Sequence, residues 1–523
     1  MKYDEAMASE DRHEWKKAVD EEHQRMVERG VFEPVQKTKI PENAKVVTST
    51  WAMKKKSNGV HRARINARGF EQVDGMHYDQ SSIAAPVANK ATIRIFMILM
   101  IMAGWYAEIL DVKGAFLHGE FEDGEEIYME VPQGFEEYYP DNVLLKLLRT
   151  LYGLKQAAMA FWRQLLKAFR NMNYERSKAD PCLYFAWTVY GLILWLSWID
   201  DCVCAGKTEG VLMAKKQMMD RFDCDEVGEM KEYVGCKIDH NFDERWIKIT
   251  QPVLLQSFQD EFDLPDTKPP KTPAEPGTVL VNGKSEESLA TEKQSKYRSG
   301  VGKLLHLMRW SRPETLNSVR ECSRFMSKAV QAHLKALYRI MHYCVGTPER
   351  GLLLKPNAKW DGSPDFKFEV NGRSDSTYAS DPDTRRSVSG YHTMLNGAPV
   401  TMKSGMQKIV ALSVTEAELI AAVLCAQDML FVYKVITLLR LKVELAMILE
   451  VDNKGAFDLI NNWTIGRRTR HVEVRQYFLR ELKEEGIIKT VWLSGDKNST
   501  DLFTKNLGGP AFEKHAGVYV NDV

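Results

Sequence analysis

An almost unbroken apolar run, residues 183–199, stops at two adjacent aspartates, Asp200 and Asp201. At about 1.5 Å per residue it is borderline for a helix crossing roughly 30 Å of hydrocarbon. Gly191 interrupts it, and its aromatic and β-branched side chains favour strands. It therefore reads as a buried hairpin, two strands around a glycine turn. A second apolar run, 95–106, is too short to span a bilayer. No membrane partner is expected. What the hairpin does dictate is carboxylates at the end of an otherwise greasy strand, and a second instance lies upstream, where Asp111 closes the apolar stretch 105–110.

The neighbouring segments supply the scaffold. Residues 14–29 have helical spacing, with Trp15, Ala18, Val19 and Met26 as the apolar stripe. Two β-rich runs, 46–53 and 60–70, flank an Asn58-Gly59 dipeptide, a hairpin signal. Helical patterns follow at 90–104, 152–172 and 210–222, with strands at 107–112 and 233–239. Strand, helix, hairpin, helix, strand predicts an antiparallel sheet with helices on one face, a split βαβ arrangement. Residues 265–276 hold five prolines and no periodicity, the mark of a linker. Residues 293–346 are helical and basic, and 348–364 are punctuated by Gly and Pro. Beyond them, three strands (366–375, 388–395, 399–403), a long helix (413–439), a strand (447–452), a helix (455–460) and a strand (489–493) describe a compact α/β domain. With 523 residues, three or four domains are expected at about 150 residues each.

Charge balances, 71 basic residues against 71 acidic, so a polyanion would have to be met by local patches. Lys54, Lys55, Lys56, Arg62, Arg64 and Arg68 make the 46–70 hairpin strongly basic. A solvated face is the plain account of such a run, and a phosphate-gripping finger the sharper one. The eight cysteines form no C-x-x-C pair, and no histidine cluster has zinc spacing. They read as reduced thiols rather than a disulfide framework. The polar, acidic N-terminus has no signal-peptide character.

The chemistry concentrates in two acidic sets. Asp111 with Asp200 and Asp201 would bring like charges together, which is costly unless a cation sits between them. Two divalent ions about 3.5–4 Å apart stabilise the attacking and leaving oxygens of phosphoryl transfer. Asp375, Glu418, Asp452 and Asp501 come from strand ends and helix starts and form a hard-oxygen set suited to Mg²⁺ or Mn²⁺. Taken singly, each acid is an ordinary turn former or helix-start residue.

DVKGAFLHG at 111–119, LYGLKQA at 151–157 and WIDDCVCAG at 198–206 resemble, in order and spacing, the reverse transcriptase of copia-type LTR retrotransposon Pol polyproteins. The segments 51–70 and 297–307 resemble that family's fingers and connection, and 390–419 with EVDNKGA at 450–456 its RNase H domain. The resemblance covers about 15–512. It implies an α+β polymerase (fingers, palm with a ferredoxin-like antiparallel sheet, thumb, connection) followed by an α/β RNase H-like domain. The implied bounds are 1–44 for a lead-in helix, 45–243 for fingers and palm, and 244–290 for thumb and linker. The connection would take 291–364, the RNase H-like domain 365–510 and a tail 511–523.

Carried over by position, the resemblance makes Asp111, Asp200 and Asp201 the metal-holding acids of a polymerase, and Asp375, Glu418 (not Glu416), Asp452 and Asp501 those of a ribonuclease H, each with two Mg²⁺ or Mn²⁺ ions. Phe116 would sit under the incoming sugar and exclude a 2′-hydroxyl. Gln156 would contact the nucleotide, and Arg62 and Arg64 its triphosphate. Lys54, Lys55, Lys56 and Arg68 would track nucleic acid. Arg467, Arg468, Arg470 and His471 read first as a solvated cationic turn, and functionally as a grip on hybrid phosphates with His471 assisting turnover. The implied partners are an RNA template, a primer, the RNA–DNA hybrid and dNTPs, with self-association or other Pol products besides. The implied location is a cytoplasmic virus-like particle, or the nucleus.

Three positions depart from the family pattern, Ala158, Met159 and Trp198. Ala157, Ala158 and Met159 follow Gln156 where Pro and Arg are usual, and Trp198 replaces a Tyr or Phe before the aspartates. The rival readings are a domesticated or decayed copy that binds nucleic acid without catalysis, and a cellular hybrid nuclease needing only the C-terminal domain. The latter leaves Asp111, Asp200 and Asp201 without a role. No protease Asp-Ser/Thr-Gly triplet or His-His-Cys-Cys finger stands upstream, so a processed Pol portion or a genomic fragment is expected.

Overall fold

The apolar run folds as the two strands expected of it, Leu183–Thr188 and Gly191–Trp198, and a third strand, Asp201–Gly206, follows the aspartates and pairs with the second. Gly191 (φ +95°) follows the first turn, and Ile199 (φ +58°) makes the second. A β-branched residue in the left-handed region is strained, so this second turn is one that side-chain patterning does not announce. The computed structural model describes residues 1–521 apart from 43, 45, 56–58, 123, 284–287 and 463–472. The Asn58 turn residue, Lys56, Arg467, Arg468, Arg470 and His471 therefore lie outside the described residues.

The three strands are the centre of a six-stranded antiparallel sheet in the order Cys224–Glu229, Tyr106–Val112, Asp201–Gly206, Gly191–Trp198, Leu183–Thr188, Glu175–Arg176. Helices cover both faces, not one as the element order implies. Ala157–Asn171 and Thr208–Met219 pack with Leu110, Tyr184, Trp195 and Cys204 on one side. Lys90–Ala103 packs with Ile109, Leu194 and Val203 on the other. Burial on both faces is why the run shows no polar alternation. Lys90–Ala103 is capped by the Asn89 side chain, which accepts from the Ala91 amide, and ends at Gly104 in the left-handed conformation. The helical pattern at 152–172 begins only at Ala157. Before it, Gly153 (φ +91°) crosses so close to the Ala67 carbonyl that a Cβ would lie 2.1 Å from its oxygen. This crossing fixes the preceding loop to the basic hairpin.

That hairpin, Ser49–Lys55 with His61–Ala67, buries Trp51, Met53, Ala63 and Ile65 against the helix Arg12–Glu28. Its other face carries Lys54 directly opposite Arg62, and Ala52 opposite Arg64. A second antiparallel sheet joins Glu232–Tyr233, Cys236–Asn241, Trp246–Thr250, Gly351–Leu354 and Val520–Asn521. It links the segments expected as thumb, connection and tail, and 511–523 holds the end of a helix, Gly509–Ala516, and a paired strand. The helices Thr291–Trp310, Leu316–Ser323 and Gln331–Val345 pack beside it.

Among those helices lies a buried ion pair, Arg312 Nε to Glu314 Oε1 at 2.6 Å, with both side chains at most 1% exposed. The guanidinium also donates to the carbonyls of Cys344 and Thr347. Removing one partner strands a buried charge. Glu314→Leu is expected to cost roughly 3–5 kcal/mol in chemical denaturation, and Arg312→Met in the same chain to recover most of it.

The C-terminal sheet runs Ala398–Met406, Val388–Leu395, Val370–Thr377, Met447–Val451, Ile488–Trp492. The first three strands are antiparallel and the last two are added in parallel. The helix Val414–Leu438 packs across it. Among the described residues this helix alone is long and apolar enough to cross a membrane. Just over half of its most apolar stretch is buried, Met429, Val432 and Ile436 completely, while Val414 and Leu424 stay exposed.

Candidate active sites

The ladder of the six-stranded sheet sets Asp201 directly opposite Asp111, and Asp225 opposite Asp111 on its other side. Cross-strand partners share a face, so three carboxylates stand in a row across three strands. Asp200 lies in the turn before Asp201, held by its own carbonyl, which accepts from the Val112 amide at 3.1 Å. Burial, then the charges of Asp200 and Asp111, push the Asp201 carboxyl up to about 6. Outside this group, Lys113 Nζ lies 3.0 Å from both Asp223 and Asp225 and neutralises the outer acids. Asp111 and Asp201 are paired at a strand end with Asp200 in the adjoining turn, and Asp201 feels the charge of both. That chemistry suits a hard divalent cation, which removes their repulsion. Among the described residues, however, only the second acid set brings three ligand oxygens within 4.8 Å of one another.

Asp111 opens on a cleft of about 560 Å³ whose walls mix basic side chains, Arg62, Arg64 and Arg29 among them, with acidic ones such as Glu28 and Asp225. Arg64 stacks on the Tyr152 ring at 4.7 Å, and Tyr152 feels the charge of Asp200. Phe116 meets Tyr152 edge-on at 4.8 Å. It is half-buried and bridges two apolar clusters. It sits on the turn Ala115–His118, entered through Gly114 (φ +59°), where a Cβ would fall 2.8 Å from the Arg29 guanidinium. Arg29 in turn donates to the Lys113 carbonyl at 2.7 Å. Gln156 is placed differently from the nucleotide contact expected of it. Its side chain is 5% exposed, donates to the His77 carbonyl and accepts from Gln72, so it knits the 72–78 loop to the helix start. Lys55 is paired with Asp11 at 2.8 Å, Lys54 stands exposed, and exposed Arg68 lies 3.9 Å from Glu71.

The second set converges more tightly. Ligand oxygens of Asp375, Asp452 and Asp501 lie within 4.8 Å of one another. Asp375 is carried by Val370–Thr377, Asp452 follows Met447–Val451, and Asp501 lies in the turn Ser499–Phe503. That turn can press on the sheet because Gly390 leaves room: a Cβ there would lie 2.6 Å from Thr504. Glu418 enters from the second turn of Val414–Leu438. Its Oε1 accepts from the Ser376 amide at 3.2 Å, and its buried Oε2 has no partner. Burial, then Asp375 and Asp452, push its carboxyl up to about 9. Asp375 is pushed up to about 6, chiefly by burial, and Asp452 is raised for the same reason. Glu416, by contrast, accepts from the Leu412 amide at 2.7 Å at the helix start.

Three polar residues that sequence patterning does not single out complete this set. Lys505 Nζ lies 2.6 Å from Asp501 and 3.6 Å from Asp375. Asn498 donates to Asp452 at 3.0 Å, and the Thr504 hydroxyl donates to Asp375. Three converging acids share one lysine, and beside them a buried Glu418 oxygen has no partner, so the donor set fits a divalent cation.

The Glu418 shift has a stability consequence. Its folded pKa stands above the unfolded value of about 4.3, so the metal-free fold loses stability as pH rises from there through about 9. Glu418→Gln keeps an acceptor for Ser376 and removes the charge. In chelator at pH 8 it is expected to raise stability by roughly 1–3 kcal/mol, read as a higher Tm, with little effect near pH 4.

Residues 32–276 match the sequence profile of the family described as Reverse transcriptase (RNA-dependent DNA polymerase). The Retrovirus-related Pol polyprotein from transposon TNT 1-94 of Nicotiana tabacum is 30% identical over 520 residues, 97% of this chain and 38% of that protein. The corresponding polyprotein from transposon RE1 of Arabidopsis thaliana is 27% identical over 482 residues, 91% of this chain and 32% of that one. The chain thus spans about a third of the length of the curated relatives it matches. A solved foamy viral protease–reverse transcriptase in complex with double-stranded DNA aligns over 92% of this chain and 70% of its own at 10% identity, with a TM-score of 0.47, too loose a likeness to carry an argument. Residues 32–276, which contain Asp111, Asp200 and Asp201, thus match the reverse transcriptase family, within a chain similar over most of its length to the Pol polyproteins of copia-type retrotransposons.

Proposed function

We propose that the chain is an RNA-dependent DNA polymerase joined to a ribonuclease H that degrades the RNA of the hybrid it makes. What carries the reading is the pairing in one chain of two separate acid sets, Asp111 opposite Asp201 in the first sheet and Asp375, Asp452 and Asp501 within 4.8 Å in the second. On this reading the six-stranded sheet is the palm, the basic hairpin the fingers, and the C-terminal sheet an RNase H-like domain. Asp111, Asp200 and Asp201 would hold Mg²⁺ or Mn²⁺ at one site, and Asp375, Glu418, Asp452 and Asp501 at the other. Bound there, the ions supply charge neutralisation for the attacking and leaving oxygens of phosphoryl transfer.

The chain's own side chains do the positioning. Arg62 and Arg64 line the cleft wall and suit a triphosphate. Phe116 would lie beneath the sugar, where a smaller residue admits a 2′-hydroxyl. Phe116→Val is expected to raise ribonucleotide incorporation relative to deoxyribonucleotide by about 10–200-fold, measured by single-nucleotide extension. Lys54 extends the cationic face toward template or primer phosphates. The RNA template, primer, hybrid and dNTPs are the proposed partners, and a cytoplasmic virus-like particle the proposed setting.

A binding-only fragment is the second reading, favoured by Ala158 and Met159 in the first turn of Ala157–Asn171, where the family carries Pro and Arg. Extension of an oligo(dT)-primed RNA with dNTPs and Mg²⁺ separates the two. Product supports polymerisation, and its absence in a folded chain that still binds the primed RNA supports binding alone.

A further inference from the structure

Between the six-stranded sheet and the C-terminal sheet lies a second cleft, of about 550 Å³, that neither acid set uses. Its charged lining is Lys90, Arg94, Arg309, Lys403 and Asp428. Lys90 and Arg94 stand one turn apart at the start of Lys90–Ala103, Arg309 closes Thr291–Trp310, and Lys403 lies on the edge strand Ala398–Met406.

Arg94 is the unusual member. It is 6% exposed. One terminal nitrogen donates to the Val400 carbonyl at 2.8 Å and the other to the Arg309 carbonyl, while Nε has no partner. Carbonyl dipoles orient this guanidinium, and no carboxylate is paired with it among the described residues. Lys90 lies 5.2 Å over the Trp310 ring, and its ammonium is pushed down to about 8 by burial and then by Arg309, Arg94 and Lys403. The cations are thus close enough to repel one another. The lone acid, Asp428, is half-buried beside Lys403, Thr401 and Tyr391. His306, held by Gln251, borders the cluster and feels Lys90 and Arg309. Three cations around one carboxylate, over a fourth, the buried Arg94 guanidinium, and at a helix N-terminus, cost free energy unless an anion enters.

One wall of the cleft leads to the first acid set: Trp310 meets Trp198 at 6.2 Å, and Trp198 precedes Ile199 and Asp200. The other wall is the edge strand of the sheet that carries Asp375. We propose that Lys90, Arg309 and Lys403, over the floor of Arg94, seat the phosphodiester backbone of an RNA–DNA duplex between the two acid sets. The occupant rests on the polymerase–nuclease reading above; the cationic seat does not.

The test is hybrid affinity against salt, by fluorescence anisotropy, for the native chain and for Lys90→Gln, Arg309→Gln and Lys403→Gln combined. Each lost phosphate contact lowers the slope of log K against log salt by about 0.9, so the triple variant should lose about 2–3 in slope. Lys90→Arg with Lys403→Arg should keep it. Arg309 and Lys403 are exposed and Lys90 is half-buried, Arg94 is left intact, and a thermal melt checks the fold. An unchanged slope in the folded triple variant overturns the seat, while native binding stays intact. Failure of the native chain to bind any hybrid overturns the polymerase–nuclease reading and this occupant with it. Calorimetric binding of inorganic phosphate that the triple variant loses, with no change in hybrid slope, assigns the seat to free phosphate and overturns the backbone.

Discussion

Asp452→Asn should reduce cleavage of an RNA–DNA hybrid by roughly 10²–10⁴-fold, the range seen when one positioned electrostatic or proton-transferring group is lost. Asp452 is the acid whose Oδ2 already accepts from Asn498 at 3.0 Å, and its oxygens lie within 4.8 Å of those of Asp375 and Asp501. The amide removes one of the negative charges that would hold a cation, at almost no change in shape. It also relieves repulsion on Glu418, whose raised pKa owes part of its shift to Asp452. The fold should therefore survive, and primer extension should remain near the native rate, because the other acid set belongs to a different sheet. A folded variant that loses both activities would contradict two independent sites.

Asp111→Asn should do the converse, abolishing dNTP incorporation to within the same 10²–10⁴-fold range while sparing hybrid cleavage. Asp111 is the middle carboxylate of the row, with Asp201 on one neighbouring strand and Asp225 on the other. Its neutralisation has a second readout, taken on a chain whose amide spectrum shows it folded. Asp201 is raised to about 6 by burial, by Asp200 and by Asp111. Removing the last of these should lower the Asp201 carboxyl toward the ordinary range in an NMR titration.

Much of this architecture is legible in the order of residues because both acid sets sit where apolar strands end. Asp111, Asp200 and Asp452 each follow runs of strand-forming residues, and an acid there is conspicuous. Glu418 is picked out over Glu416 by the family resemblance, and helix geometry supplies the reason: two residues apart on a helix are about 200° apart around its axis. One of the two reaches the acids, and the other folds back on the Leu412 amide. The turn from the apolar hairpin into Asp201–Gly206 is less legible, because it is made by Ile199, which carries no turn signal, where the first turn is announced by Gly191. Gln156 shows the limit of motif position. A glutamine at the start of a helix can face a cleft or a loop, and here the 72–78 loop, pinned through Gln72 and His77, takes its amide. Lys505 is unremarkable in sequence, four residues beyond Asp501. It matters only because the turn Ser499–Phe503 presses against Gly390 and carries the ammonium to Asp375.

The central claim is that one chain carries two carboxylate nests for divalent cations. Anomalous diffraction from crystals grown with Mn²⁺ and a primed RNA–DNA duplex tests it most directly. Peaks are expected beside Asp111, Asp200 and Asp201 and, separately, beside Asp375, Glu418, Asp452 and Asp501. Anomalous density at neither nest, or at the second alone with the duplex ordered over Asp111, would contradict it.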